Sequence, residues 1–183
     1  MIWMKWPRIL LDVFTLIGSK GDEMILAVDI DNVLNRFAEC VLDAYNNDSG
    51  DNLTISDITD YGMEAFVRPE YREDFHKYFL HAAQCAPAIP AAQEYLRRLS
   101  DADHQIFLVT STTCACINDK AQWIKKHYPF IHEDHIVRLI HKTLFKCNVM
   151  VDDYPPNLIG GDYKRIIMDY PWNQLTPEVD EFC

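Results

Sequence analysis

The run MILAVD at residues 24–29 is too short for a helix, and apolar side chains fall on both of its alternating faces. Such a run suits a strand covered on both sides, and strands of that kind belong mainly to parallel sheets. Similar runs follow: QIFLVT at 105–110, HIVRLI at 135–140, NVMVDD at 148–153 and YKRIIMD at 163–169. Between them, apolar residues recur at helical spacing in RFAECVLDAYNN (36–47), PEYREDFHKYFLHAA (69–83), AAQEYLRRLSDA (91–102) and INDKAQWIKKHY (117–128). Pro90 suits the first turn of the third of these. Strands alternating with helices predict an α/β fold with a Rossmann-like parallel sheet core, covered on both faces. Residues 46–87 break the alternation with a polar, turn-rich stretch and the aromatic-rich helix, and are expected to be a small helical cap inserted after the first strand. The organisation expected is thus a core at 24–45 and 88–175, a cap at 46–87 and a tail at 176–183.

Residues 1–23 are set apart. MIWMKWPRILLDVFTLIG is apolar behind Lys5 and Arg8, as in a secretion signal, yet Asp12 interrupts it and no small-residue cleavage site follows cleanly. It is also too short and too interrupted to span a membrane. The codons of Lys20-Gly21-Asp22-Glu23 can spell a purine-rich ribosome-binding sequence, which makes Met24 a candidate start. These residues are expected to be a leader or extension outside the native fold.

Composition narrows the partners. With 17 Lys and Arg against 28 Asp and Glu, the net charge is −11, which argues against long nucleic acid, whose affinity rests on neutralising phosphates. A small anionic substrate remains compatible where a metal and a few lysines reverse the field locally. The cysteines at 40, 85, 114, 116, 147 and 183 include one close pair, Cys114 and Cys116, without a second pair at zinc-finger spacing. They are expected to be reduced thiols of a cytoplasmic protein. No membrane partner is expected, and a homodimer is left open.

Ligands of open α/β sheets bind beyond the carboxyl ends of the strands. Those ends carry Asp29 and Asp31, Thr110 and Ser111, and Asp152 and Asp153. Carboxylates so close repel one another unless a cation or a proton relieves them. Phosphoryl transfer through an aspartyl-phosphate needs this set. A carboxylate attacks phosphorus, and a hard cation on oxygen ligands neutralises carboxylates and phosphate together. A hydroxyl and a lysine hold the other phosphate oxygens, and a second carboxylic acid protonates the leaving alcohol and then activates water.

The chain resembles the haloacid-dehalogenase-like phosphatases and, within them, the 5'(3')-deoxyribonucleotidases. DIDNVL is similar to the first family motif, LVTST to the second, NDKAQWIKKHYPFI to the lysine-bearing helix and VMVDDYPPNL to the acidic fourth motif. RIIMDYPWN resembles the closing strand and loop of the nucleotidases, and the likeness spans about residues 24–173. The resemblance implies that Asp29 is the nucleophile and Asp31 the general acid and base. It implies Mg²⁺ held by Asp29, the Asp31 backbone carbonyl and the Asp152–Asp153 pair, of which Asp153 is also a candidate for orienting Asp152 and a metal-bound water. Thr110, Ser111 and Lys120 are implied as phosphate ligands. Lys142 and Lys146 lie just upstream of the fourth motif and are both candidates to assist, Lys146 being the one added to the phosphate-binding set. Phe37 aligns with an aromatic that packs against the base. Asn32 stands where the family often has glycine, and the helical insertion matches the nucleotidase cap only loosely.

Of the aromatics at 61, 66, 71, 75, 78 and 79, most are expected in the core of the insertion, with Tyr61 and Phe66 taken to touch substrate. The histidines at 76, 81, 127, 132, 135 and 141 show no ligand spacing beside carboxylates and are expected on surfaces or loops. The function expected is a Mg²⁺-dependent phosphomonoesterase for nucleoside, particularly deoxyribonucleoside, 5'-monophosphates. A receiver-like phospho-acceptor is the first alternative, but receivers carry the adjacent acidic pair on the first strand. The second is a phosphatase for another ester, such as a nucleic-acid 3' end.

Overall fold

The computed structural model describes residues 23–174, so the expectations for a leader before residue 23 and a tail after 175 lie outside the described residues. In chain order the strands are β1 (Ile25–Val28), β2 (Gln105–Thr110), β3 (Ile136–Arg138), β4 (Val149–Asp152) and β5 (Lys164–Ile167). The α-helices are α1 (Phe37–Ser49), α2 (Pro69–Arg72), α3 (His76–Cys85), α4 (Pro90–Asp101) and α5 (Ile117–His127). Every strand pairing is parallel, in the order β3-β2-β1-β4-β5. The chain therefore reverses its direction of travel across the sheet at β1, and the carboxyl ends of β1, β2 and β4 flank that reversal. This is where an open α/β sheet leaves a crevice.

The alternation of β1 separates two apolar layers. Leu26 and Val28 face Ala92, Leu96 and Leu99 of α4 and Trp123 and Ile124 of α5. Ala27 faces the opposite way, with Val109, Met150, Cys147 and Leu158. Both faces are covered as expected, but no residue of the second cluster lies in an α-helix, because the links from β3 to β4 and β4 to β5 carry only 3-10 turns.

A third cluster stands apart from the sheet and joins Ala38, Val41, Leu42 and Tyr45 of α1 to Ile58, Met63, Phe75, Tyr78 and Ala82. The expected boundary between residues 45 and 46 thus falls inside α1, whose buried face packs with the insertion. Gly50, at φ 69°, ends that helix in the left-handed conformation that glycine adopts without strain. No strand lies between residues 37 and 87.

The link from β1 to α1 is buried, which is unusual for a loop. Ile30, Val33 and Leu34 are shielded completely, and Asn32 and Asn35 nearly so. Several of its backbone groups pair with the elements on either side. Leu34 N–H donates to Ile30 O, Arg36 N–H to Pro87 O, and Ile89 N–H to Leu34 O. Tyr128 Oη–H also donates to Leu34 O (3.0 Å), and Tyr170 Oη–H to Asn32 O (2.9 Å). The residues just after β1 are therefore held on both flanks before any ligand arrives.

Candidate active site

Asp29 follows β1, and its N–H donates to Val151 O of β4 (2.9 Å), which keeps it in register with Asp152 and Asp153. Asp29, Asp152 and Asp153 are buried, and one oxygen of each lies within 4.8 Å of the others. Lys142, 1% exposed, reaches the cluster from the 3-10 turn Lys142–Leu144. Its Nζ donates to Asp29 Oδ1 (2.5 Å) and to Asp152 Oδ2 (2.7 Å). Burial alone lowers a lysine pKa, but the two carboxylates outweigh it and raise that of Lys142.

Asp152 also accepts from Tyr154 N–H (2.9 Å) and from the Asn157 amide. Burial, then the charge of Asp29, still pushes its pKa up to about 6 against the pull of Lys142. Asp153 is raised well above its ordinary value by burial and by Asp152 and Asp29, and it accepts from Asn32 Nδ2 (3.0 Å). Asn32 has φ 61°, the left-handed conformation that Asn tolerates better than most non-glycine residues. Its Oδ1 accepts from Ala38 N–H (2.8 Å), so it links Asp153 to the start of α1, as glycine cannot. Asn173 Nδ2 donates to Asp153 O (2.9 Å) and Met168 O (2.6 Å), so the DYPWN loop braces the acidic turn.

Fully ionised, three carboxylates against one ammonium would leave the cluster short of two positive charges, which is why burial raises the acids in the absence of a cation. A buried, all-oxygen donor set with that deficit fits a hard divalent cation. The Asp31 side chain is not part of it. Asp31 Oδ2 instead accepts from Lys120 Nζ on α5, while Oδ1 is buried with no partner at hydrogen-bond geometry among the described residues. Burial, with the Asp29 charge, raises the Asp31 pKa although Lys120 opposes the shift.

Of these groups, Asp29, Asp31 and Lys120 line a cleft of about 620 Å³, together with Thr110 and Ser111. Phe37, Tyr61, Met63, His76, Phe79, Leu80 and Trp172 line it elsewhere. Phe37 lies 5.8 Å from Phe79 between ring centroids, and Lys120 Nζ sits 5.3 Å from the Phe37 centroid. Tyr61 is stacked on Tyr154 at 3.9 Å.

The structure thus brings together Asp29, Asp31, Asp152, Asp153, Thr110, Ser111, Lys120, Phe37 and Tyr61, but not two residues expected with them. Lys146 is exposed and forms no ion pair with the cluster; Lys142, four residues earlier, is the lysine that enters. Phe66 does not line the cleft but packs against the apolar cluster of the insertion. Sequence reasoning passed over His76, Phe79 and Trp172 as cleft residues. Only the aromatic periodicity of the insertion and the DYPWN motif hinted at the last two.

Residues 23–181 match the family model described as 5' nucleotidase, deoxy (pyrimidine), cytosolic type C protein. The chain is 28% identical over 151 residues to a 5'(3')-deoxyribonucleotidase of Clostridium acetobutylicum, covering 81% of this chain and 83% of that one. It is 24% identical over 158 residues to the 5'(3')-deoxyribonucleotidase of Bacillus subtilis, covering 82% and 87%. A haloacid dehalogenase-like hydrolase from Streptococcus pneumoniae superposes with a TM-score of 0.57 at 12% identity, over 79% of this chain and 84% of that one. A related hydrolase from Deinococcus radiodurans, solved with bound phosphate and sodium, gives 0.54 at 16% identity over 83% and 85%. The parallel sheet has the haloacid-dehalogenase-like fold, and the family match makes the chain a nucleotidase, a phosphoric monoester hydrolase. Within that class, the chain belongs to the deoxy (pyrimidine) cytosolic type C 5' nucleotidase family.

Proposed function

We propose that this chain is a Mg²⁺-dependent phosphomonoesterase that hydrolyses deoxyribonucleoside 5'-monophosphates through an aspartyl-phosphate on Asp29. The observation that carries the reading is the pairing of two unlike acids at one cleft. Asp29 is held against Lys142 at 2.5 Å, while Asp31, two residues on, keeps a buried Oδ1 that has no partner at hydrogen-bond geometry among the described residues. The first suits a nucleophile that must stay ionised. The second, with its raised pKa, suits a group that donates a proton and takes it back.

In this reading the phosphate enters between Thr110, Ser111 and Lys120, whose hydroxyls and ammonium hold its oxygens. Asp29 attacks phosphorus as Asp31 protonates the leaving 5' oxygen. Asp31 then takes a proton from water, which opens the acyl-phosphate. Asp29, Asp152 and Asp153, with the Asp31 carbonyl, would hold Mg²⁺, which would supply the positive charge that an anionic ester needs to approach these carboxylates. Lys142 keeps Asp29 and Asp152 oriented, and Asn32 does the same for Asp153.

The base would stack in the aromatic part of the cleft on Phe37 and Phe79, with Tyr61 and Trp172 at the rim. Residues 37–86 would act as the cap, because their apolar cluster is separate from that of the sheet. The family description supports pyrimidine bases and work in the cytoplasm, and among the described residues no helix is long and apolar enough to cross a membrane.

The test is phosphate release from a panel of deoxyribo- and ribonucleoside 5'- and 3'-monophosphates and sugar phosphates, with Mg²⁺ and with EDTA. Deoxyribonucleoside 5'-monophosphates should lead the sugar phosphates by at least about tenfold in kcat/KM, or ~1.4 kcal/mol. Activity should vanish in EDTA and in Asp29→Asn. Full turnover in EDTA, or by Asp29→Asn, would overturn the reading.

A further inference from the structure

A second group of convergent ligands lies on the insertion, away from the carboxylates. Cys40 projects from α1, and His81 and Cys85 from α3, where a spacing of four puts them on one helix face. Cys40 Sγ lies 3.7 Å from Cys85 Sγ, and Cys85 Sγ lies 3.2 Å from His81 Nε2. One ligand atom from each of the three residues falls within 4.8 Å of the others. Two thiolates on a tetrahedral zinc at about 2.3 Å sit about 3.7–3.8 Å apart, and a thiolate and an imidazole nitrogen about 3.5 Å apart. The Cys40–Cys85 and Cys85–His81 separations are close to two edges of that tetrahedron.

We propose that Cys40, His81 and Cys85 form a site for one thiophilic transition-metal ion of the Zn²⁺ class, which clips α1 to α3. Two sulfurs and an imidazole are the donors such ions prefer, and none is a carboxylate of the kind that selects Mg²⁺. Cys40 is half-buried while His81 and Cys85 are exposed, which leaves an entry path and room for water as a fourth ligand. Each thiol gives its proton to solvent as its metal–sulfur bond forms; for Cys85 this also ends the contact from its Sγ to His81 O (3.1 Å). No oxidant is needed. A disulfide is the rival use of the pair, but it gives the His81 ring at the third corner no role.

The clip bears on the cleft. Phe37 lies one turn before Cys40, and Phe79 and Leu80 immediately precede His81; all three line the cleft. An ion that fixes α1 against α3 fixes the spacing of that aromatic wall.

The experiment is a Co²⁺ titration of the reduced full-length chain with Mg²⁺ in excess, so that carboxylate sites are filled. Only sulfur coordination produces a thiolate-to-cobalt charge-transfer band. The band should saturate at one ion per chain and be displaced by Zn²⁺. Cys40→Ser and, on the exposed side, His81→Ala should each weaken binding by at least about 100-fold, the upper end for loss of an outer-shell partner. Cys114→Ser should leave it unchanged. Absence of the band, its survival in both ligand variants, or a Cys40–Cys85 cross-link in mass spectra that reduction must break before any metal binds would overturn the proposal.

Discussion

Lys142→Met is the most informative single change, because it removes the only cation buried among three carboxylates in the described structure. The Lys142 side chain is shielded completely, with Asp29 at 2.5 Å and Asp152 at 2.7 Å. Methionine roughly matches its volume, so the loss is one of charge and hydrogen bonds rather than packing. Breaking a buried pair by removing one partner costs about 3–5 kcal/mol, since the remaining charge is left uncompensated. For a chain of this size each kcal/mol shifts Tm by about 2–4 °C, so the metal-free variant should melt about 6–20 °C below the parent. Saturating Mg²⁺ should recover much of that gap by restoring positive charge to the cluster. Activity should not recover with it. The orientation of Asp29 by a fixed cation is lost, and kcat should stay down by about 10²–10³-fold, as when a fixed electrostatic donor is removed. Melting curves by circular dichroism, in EDTA and in Mg²⁺, would be read beside phosphate release. Lys146→Met is the control: that side chain is exposed, so its effect should stay within about 0.5 kcal/mol. If Lys142→Met melts with the parent in EDTA, or Lys146→Met is the more damaging change, the charge argument fails.

Asp31→Asn should lose about 10²–10⁴-fold on a nucleotide, whose alkoxide leaves poorly, and much less on p-nitrophenyl phosphate; equal losses on both esters would contradict the acid–base role. Phe37→Ala should remove most of the preference for nucleotides over sugar phosphates, since base stacking contributes about 1–3 kcal/mol, and should spare p-nitrophenyl phosphate. If both substrates slow alike, Phe37 serves packing alone. In the metal-free protein Asp152 titrates at about 6 and Asp153 well above its ordinary value, so protons compete with Mg²⁺ as the pH falls. Calorimetry should therefore find affinity dropping steeply from pH 7 to 5, with protons released on binding; a flat profile would exclude these acids as ligands. Asn173→Ala deletes two buried amide donations, to Asp153 O and Met168 O, and should cost about 2 kcal/mol in a denaturant melt. No loss there would mean that the DYPWN loop does not brace the acidic turn.

Much of the fold and half of the site are local properties of the chain. Five apolar runs of strand length, each separated from the next by helical or turn-rich sequence, dictate a parallel sheet, and all five appear within a residue or two of their expected bounds. The residues at three strand ends then had to meet at one edge, because parallel strands all point their carboxyl ends the same way. Asp29, Asp31, Thr110, Ser111, Asp152 and Asp153 were legible for that reason.

What remained hidden depends on how a turn or a helix is rotated against something far away in sequence. Lys142 and Lys146 are alike in type and lie four residues apart, yet the 3-10 turn sends one between Asp29 and Asp152 and the other to solvent. Tyr61 and Phe66 flank a similar turn, Met63–Ala65, and only the first reaches the cleft. Helix α1 is the next element after β1, but the distribution of its apolar residues turns it away from the sheet toward Phe75 and Tyr78, thirty or so residues on. Asn32 and Asp153 are separated by 121 positions, and Cys40 and Cys85 by 45. No local pattern of charge or hydropathy encodes such pairs, because each contact exists only once the packing of distant apolar faces has set the distance between them.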